Sequence, residues 1–367
     1  MQNEAGLLKT DLQSTAQAGT QGGPVSAWAL ILAGGNGDRL RSLTLRVDGD
    51  SRPKQFSRIY GRRTLLEHTR ARLCPIFPDE RTLFVVTKDH EPFYREHLAD
   101  AEEERVLVQP ENRGTGIAII LGLIRVLWRD PDAVVAVFPS DHFFQDDAAF
   151  RTTVRAAVAA ARRHTERLVL VGVEPRGAEV EYGWIETGDA MSKPGDAPLF
   201  SVRRFWEKPR LEKARELMET GGLWNTFITV GHADAFLELL ASTVPATLAK
   251  IVSALARRQL DDAYRTATTV DFSRDVLTRA PHRLLVLRDA ASGWTDLGNA
   301  LRVLETLADN GIEPDWLRKI RRFRGQFEPP AAPTQAWRAP IQDDEPAERC
   351  RPHDDPARAQ TGRMARF

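Results

Sequence analysis

The sequence predicts an α/β fold in which a mostly parallel, mixed central sheet is flanked by helices. Three observations carry that expectation. From Trp28 onward, short β-rich apolar runs alternate with longer amphipathic stretches, the texture of repeated βα units. The first runs are nearly continuous in apolar residues, as strands buried on both faces require. A chain of 367 residues that is 42% hydrophobic is long enough for one large α/β domain or two ordinary ones with a substantial core.

The elements follow in order. Residues 1–24, rich in Gln, Thr, Gly and Ala and lacking an apolar h-region, read as a flexible leader rather than a signal peptide. Strands are expected at WALILA (28–33), TLFVVT (82–87), RVLVQ (105–109), AVVAVF (133–138) and LVLVGV (168–173). Helical spacing is expected at 64–73, 115–129 and 148–164. The stretch from Arg41 to Arg52 reads as a loop. Further on, YGWIET, FSVRRFWE and WNTFITVG read as strands, interspersed with helices at 210–220, 232–241 and 245–258. The catalytic region is expected to span 25–312. Beyond it, RKIRRFR (318–324) offers a short basic helix, and the Pro-, Arg- and Asp-rich remainder of 313–367 reads as a largely disordered tail.

The 51 basic and 51 acidic side chains cancel. A neutral chain is not one that holds nucleic acid or anionic lipid through its overall field, so neither is expected as a partner. No uninterrupted apolar run of about 18 residues suggests a transmembrane helix. Cys74 and Cys350 lie far apart, without CxxC or Cys/His spacing, so neither a disulfide framework nor a structural zinc is suggested, and a reducing cytoplasm fits best.

The first strand ends in LAGGNGDRL, placing Leu32, Ala33, Gly34, Gly35 and Gly37 at the carboxyl edge of the sheet, where open α/β folds bind ligands. Glycines there let backbone N–H groups approach phosphate oxygens. A P-loop would need GK[ST] after the fourth spacer, and a dinucleotide fingerprint needs a third glycine where Leu40 stands. Arg39 and, after the 41–52 segment, Lys54 in RPKQF would add positive charge for phosphate. On these residues alone, a tight strand-to-helix turn with an exposed Arg39 is an equal reading. Asp141 follows the fourth strand directly, and Asp296 lies in GWTDLG; taken singly, each reads more readily as a helix cap than as a metal ligand. His142 reads as a hydrogen-bonded structural group, and Trp224 as core.

Taken together with QPENRGTGIAI (109–119), FPSDHFF (138–144), EYGWIE (181–186), RRFWEKP (203–209), LWNTFITVG (223–231) and SGWTDLGNALRVLETL (292–307), the LAGGNGDRLRSLT…RPKQF segment resembles the sugar-1-phosphate nucleotidylyltransferases. It is most similar to their mannose-1-phosphate guanylyltransferase (GDP-mannose pyrophosphorylase) branch. The resemblance covers about positions 28 to 308 and implies a Rossmann-like nucleotidyltransferase fold. It implies that a nucleoside triphosphate, GTP first, and a hexose 1-phosphate, mannose 1-phosphate first, give a nucleotide sugar and pyrophosphate. Asp141 and Asp296 would hold Mg²⁺ against the α-phosphate, with Arg39 and Lys54 facing the β- and γ-phosphates. The glycine turn, Gln109 and Gly114 would serve the nucleotide, and Gly183, Glu207, Lys208 and Asn225 the sugar phosphate. A UTP- or dTTP-dependent glucose-1-phosphate enzyme and a catalytically silent nucleotide-sugar binder are the alternatives, and a homodimer stays open. The chain departs from common family forms at Arg113–Ile117, where NTAPA is frequent, and at WNTFIT, where WNSGMF is frequent.

Overall fold

The computed structural model describes residues 26–193, 195–289 and 291–323. The leader expected over 1–24 and everything after Phe323 lie outside the described residues. Five strands expected from apolar runs form as β1 (Ala27–Leu32), β2 (Thr82–Thr87), β3 (Val106–Gln109), β4 (Val134–Pro139) and β5 (Leu168–Val173). The later strands are β6 (Gly183–Ala190), β7 (Leu199–Glu207), β8 (Leu223–His232) and β9 (Leu284–Asp289).

They build one sheet in the order β3-β2-β1-β4-β8-β5-β9-β7-β6, with β6 also touching β8. The half made of β3, β2, β1 and β4 is parallel throughout, as expected. Past β4 the sheet becomes mixed. β8 runs antiparallel to both β4 and β5, β9 restores one parallel pairing with β5, and β6 and β7 form an antiparallel flap.

Helices cover both faces. Strand alternation sends Leu30, Leu83, Val85, Val135 and Val137 to one face. There they meet α3 (Thr115–Leu127), α6 (Ala233–Thr243), α7 (Pro245–Ala256) and α8 (Leu260–Thr266). Ala29, Ile31, Phe84, Val86, Ala136 and Phe138 point the other way, onto α2 (Leu65–Leu73) and α4 (Asp147–Arg163). Local signals explain the starts: Thr64 and Glu67 form a reciprocal capping box for α2, and Asp146 caps α4 through Ala148 N and Ala149 N. α5 (Leu211–Glu219) lies under the β6–β7 flap, where Ala214 and Leu217 pack against Trp184.

Two expectations are corrected. The stretch expected as a loop after the glycine turn contains α1 (Arg41–Asp48), closed by Gly49 at φ 85°. The tail does not begin at 313: α9 (Ala300–Asp309) is followed by α10 (Asp315–Phe323), and Trp316 is buried with Nε1 donating to Ile59 O at 2.8 Å. These two helices, α1 and Phe143 close a third apolar cluster directly behind the glycine turn. The expectation that Cys74 and Cys350 form no disulfide framework involves Cys350, which lies outside the described residues. Among the described residues no helix is long and apolar enough to cross a membrane.

Candidate active site

The glycine turn leaves the sheet once Ala33 N has donated to Val85 O at 2.8 Å. A Cβ at Gly34 would lie 2.8 Å from both Gln109 Nε2 and Thr87 Oγ1, so only glycine lets the turn rest on those side chains. Gly37 adopts φ 64°, and its missing Cβ would be 2.9 Å from Lys54 N. Gln55, which the sequence reading left without a role, is buried and donates from Nε2 to Ala33 O (3.0 Å) and Gly35 O (2.8 Å). The carbonyls of the turn are thereby engaged from beneath. Among the described residues no acceptor takes the N–H groups of Gly34, Gly35 or Gly37. That leaves backbone donors at the carboxyl edge of the sheet without a protein acceptor, a set suited to an anion.

Arg39 reaches the segment before β6, with NH1 3.2 Å from Glu181 Oε1. Both side chains are largely exposed, so this pair contributes little on its own. Lys54 points inward. Its Nζ lies 3.2 Å from Asp141 Oδ2 and 2.7 Å from the main-chain oxygen of Asp296.

The two aspartates reach one edge through a backbone bridge. Phe143 N donates to Thr295 O (2.9 Å) and Thr295 N to Phe143 O (3.0 Å), joining the loop after β4 to the loop after β9. Neither aspartate is a helix cap, because Asp146 caps α4 and Asn299 caps α9. Asp296 Oδ1 accepts from Tyr182 OH (2.9 Å), Arg302 NH1 (2.8 Å) and Gly298 N (2.8 Å). Burial works against its charge, but positive neighbours, Lys54 and Arg302 among them, hold the carboxyl below the usual carboxylate range. His142 is the structural histidine the sequence suggested: Trp294 Nε1 donates to its Nδ1 at 3.0 Å, and burial pushes its pKa down.

The residues expected at the sugar end gather at the β6–β7–β8 end. Gly183 sits opposite Glu207 in the β6–β7 register, and a Cβ there would lie 3.1 Å from Glu207 Oε2 and 2.9 Å from the Phe205 ring. Burial pushes the Glu207 carboxyl up, against the opposing charge of Lys208, whose Nζ lies 3.3 Å from Oε1. Lys208 itself is held at φ 49° with its N–H donating to Tyr182 O at 3.1 Å. Asn225 is buried beside an irregularity in the β5–β8 pairing, and its Oδ1 accepts from Phe227 N at 3.2 Å. Trp224 packs edge-to-face on Tyr182 and Trp184.

On the opposite flank, buried Gln109 accepts at Oε1 from Tyr264 OH (3.1 Å). Gly114 has φ 86°, and a Cβ would run into Val270 O. Val270 O in turn accepts from Gly116 N at 2.9 Å, so the glycine here serves close packing at the start of α3.

Residues 28–310 match the family model described as Nucleotidyl transferase. The chain belongs to that family. This nucleotidyl transferase is 29% identical to the xanthan biosynthesis protein XanB of Xanthomonas campestris pv. campestris, over 77% of the chain and 60% of the relative. It is also 29% identical to the mannose-1-phosphate guanylyltransferase ManC of Salmonella typhimurium, over 74% and 58%. The chain thus spans about three fifths of the length of these curated relatives. Among solved structures it resembles the mannose-1-phosphate geranyltransferase of Thermus thermophilus, with TM-score 0.65 and 30% identity, covering 76% of this chain and 79% of that one.

The nucleotidyl transferase fold therefore brings Arg39, Lys54, Asp141, Asp296 and the glycine turn to one strand edge, with Gly183, Glu207, Lys208 and Asn225 clustered beside β6. Gln55, Tyr182, Tyr264 and Arg302 complete the arrangement and were missed. Gln55 stands in RPKQF, Tyr182 in EYGWIE and Arg302 in the last motif, so their positions were in view while their long-range partners were not.

Proposed function

We propose that this chain transfers a nucleotidyl group from a nucleoside triphosphate, GTP first among the candidates, to a hexose 1-phosphate, mannose 1-phosphate first, giving GDP-mannose and pyrophosphate. One observation carries the reading: a single ammonium, Lys54, touches both aspartate loops directly beside the glycine turn. The choice of mannose and GTP draws on the name of the Salmonella typhimurium relative.

A phosphate oxygen of the sugar phosphate attacks the α-phosphorus in line. The bond from that phosphorus to the bridging oxygen of the β-phosphate breaks, and pyrophosphate leaves with the electron pair. No protein nucleophile is needed, so the side chains align the reactants and offset charge. The free N–H groups of the glycine turn receive triphosphate oxygens, and Arg39 exchanges Glu181 for phosphate. Lys54 offsets the charge that develops on the leaving group. Glu207 accepts from sugar hydroxyls, Lys208 pairs with the sugar phosphate, and Asn225 hydrogen-bonds the sugar.

The family implies a divalent ion. Among the described residues no cluster of three or more His, Cys, Asp or Glu would cage one. A pair of carboxylates at the phosphate edge, one with an oxygen that receives no donor, nevertheless fits Mg²⁺, whose remaining positions are filled by phosphate and water. Asp141 and Asp296 would hold it, and it would supply Lewis-acid stabilisation of charge at the α-phosphate.

The test is pyrophosphate release from the purified chain with Mg²⁺, each of the common nucleoside triphosphates and a panel of hexose 1-phosphates. Release with GTP and mannose 1-phosphate is expected. Release only with UTP or dTTP and glucose 1-phosphate would reassign the substrates, and no release with any pair would refute the activity.

A further inference from the structure

The two oxygens of Asp296 are treated unequally. Oδ1 accepts three hydrogen bonds, from Tyr182 OH, Arg302 NH1 and Gly298 N, whereas among the described residues no donor reaches Oδ2. A Cβ at residue 298 would sit 2.6 Å from Oδ2, so glycine keeps that oxygen uncrowded. Arg302 is itself fixed. Its second terminal nitrogen pairs with Glu179, its guanidinium lies 4.7 Å from the centre of the Tyr182 ring, and its backbone N–H is capped by Asn299 at 2.9 Å. The side chains of Asp296 and Arg302 are 15% and 16% exposed, well away from the screened surface regime in which ion pairs contribute little. The backbone is held as well: Lys54 grips the Asp296 carbonyl, and Leu297 is kept at φ 50°, a left-handed conformation that a leucine adopts only under constraint.

Neutralising a carboxylate needs one cation in either orientation. Three donors converging on one oxygen, from α9, from the segment before β6 and from the aspartate's own turn, instead fix how the carboxylate is rotated. We infer that Tyr182 and Arg302 are positioning residues: they lock Asp296 so that Oδ2 alone faces the metal and the α-phosphate. Tyr182 also joins this lock to the sugar side, because its main-chain oxygen accepts the N–H of Lys208. The inference rests on the nucleotidyl transfer reading above.

The experiment uses Mn²⁺ as the probe, titrated onto the full chain without substrates and followed by the electron paramagnetic resonance of the free ion, beside steady-state kinetics and thermal denaturation. Tyr182→Phe removes one donor and keeps the ring. It is expected to weaken Mn²⁺ binding about tenfold, the low end for partners that orient a metal ligand, with little change in Tm. Arg302→Met is expected to weaken it further, and Arg302→Lys to restore part of the loss. In turnover, Tyr182→Phe should lower kcat with the KM for nucleoside triphosphate unchanged. Unchanged Mn²⁺ affinity in Tyr182→Phe and Arg302→Met, with only Tm lowered, would reduce both residues to scaffold and overturn the inference. So would a wild-type chain that takes up no Mn²⁺, or an Asp296→Asn variant that binds it normally. Mn²⁺ binding that depends on Asp296 and Tyr182 without pyrophosphate release from any substrate pair would uphold the lock and refute the reaction, so the two failures are separable.

Discussion

Gly183→Ala should damage recognition of the sugar phosphate while sparing the nucleotide. Gly183 is not in the left-handed region, so alanine meets no backbone penalty and only space is at stake. The added Cβ would lie 2.9 Å from the ring of Phe205, which is 2% exposed and cannot retreat, and 3.1 Å from Glu207 Oε2, which can. The glutamate therefore swings away by several tenths of an ångström and loses its placement against a sugar hydroxyl. A hydrogen bond to a charged group contributes about 1.5–3 kcal/mol, which converts to a rise of about 10- to 150-fold in KM for the sugar 1-phosphate. The pressure on Phe205 costs about 1–3 kcal/mol of stability as overpacking. Steady-state pyrophosphate release, with each substrate varied in turn, reads the first effect, and thermal denaturation reads the second. The KM for the nucleoside triphosphate should stay at the wild-type value, because the glycine turn lies at the end of another strand. A lowered Tm with an unchanged KM for the sugar phosphate would show that Glu207 does not read the sugar.

Asp141→Asn keeps the shape of a side chain that pairs with Lys54 at 3.2 Å and has His142 Nε2 3.7 Å away. It should lower kcat by about 10²- to 10³-fold, the usual effect of deleting a group that organises transition-state charge, with Tm nearly unchanged. An undiminished kcat would remove Asp141 from the mechanism. His68 should make the fold acid-sensitive: burial holds its imidazole at about 4, below the ordinary 6.5. The folded state prefers the neutral ring, so stability is complete above pH 6.5 and falls as pH drops from 6.5 toward 4, by about 3 kcal/mol in all. Urea titrations at pH 7 and pH 4.5 should show that slope in the wild type and its flattening in His68→Gln; equal slopes would contradict the buried neutral ring. Trp316→Ala should cost about 3–5 kcal/mol by urea denaturation, because it empties a buried site and removes the donor to Ile59 O. A loss below about 1 kcal/mol, within the range of surface substitutions, would mean that α10 is not part of the folded body.

What the sequence made legible is what local physics determines. β1, β2, β4 and β5 are runs of apolar residues largely buried on both faces, β3 is a short apolar edge strand, and α2 and α4 begin at side chains that cap them, so each could be read within its own window. Gly34 and Gly37 were legible as a turn but not as obligatory glycines, since the atoms that would collide with a Cβ come from Gln109, Thr87 and Lys54. β9 escaped because its short run LLVL ends in Arg288 and Asp289, and what makes it a strand is its placement between β5 and β7. α1 escaped because RSLTLRVD carries only a weak apolar face, completed by residues from α9 and α10. The basic run RKIRRFR was legible as a short helix, but its docking was not, because the anchor Trp316 lies upstream of the run and meets Ile59 far away in sequence.

The candidate site divides along the same line. Its residue types were readable because the motifs occur in a fixed order, but their pairing depends on one contact that no spacing rule contains, the bridge between Phe143 and Thr295. The bridge sets the loop of Asp141 against that of Asp296, and Lys54 then meets both. Neutral net charge is consistent with this arrangement, because Lys54 and Arg302 are each matched by a carboxylate while the unpaired N–H groups of the turn remain for phosphate. An anion site of this kind relies on positioned donors more than on accumulated charge, which is why the charge sum ruled out a field and said nothing about the cleft. If that is right, added salt should weaken nucleotide binding far less than the steep dependence of a protein that binds by releasing counterions. A steep salt dependence would mean that exposed basic residues, Arg39 first among them, hold the triphosphate in place of the turn.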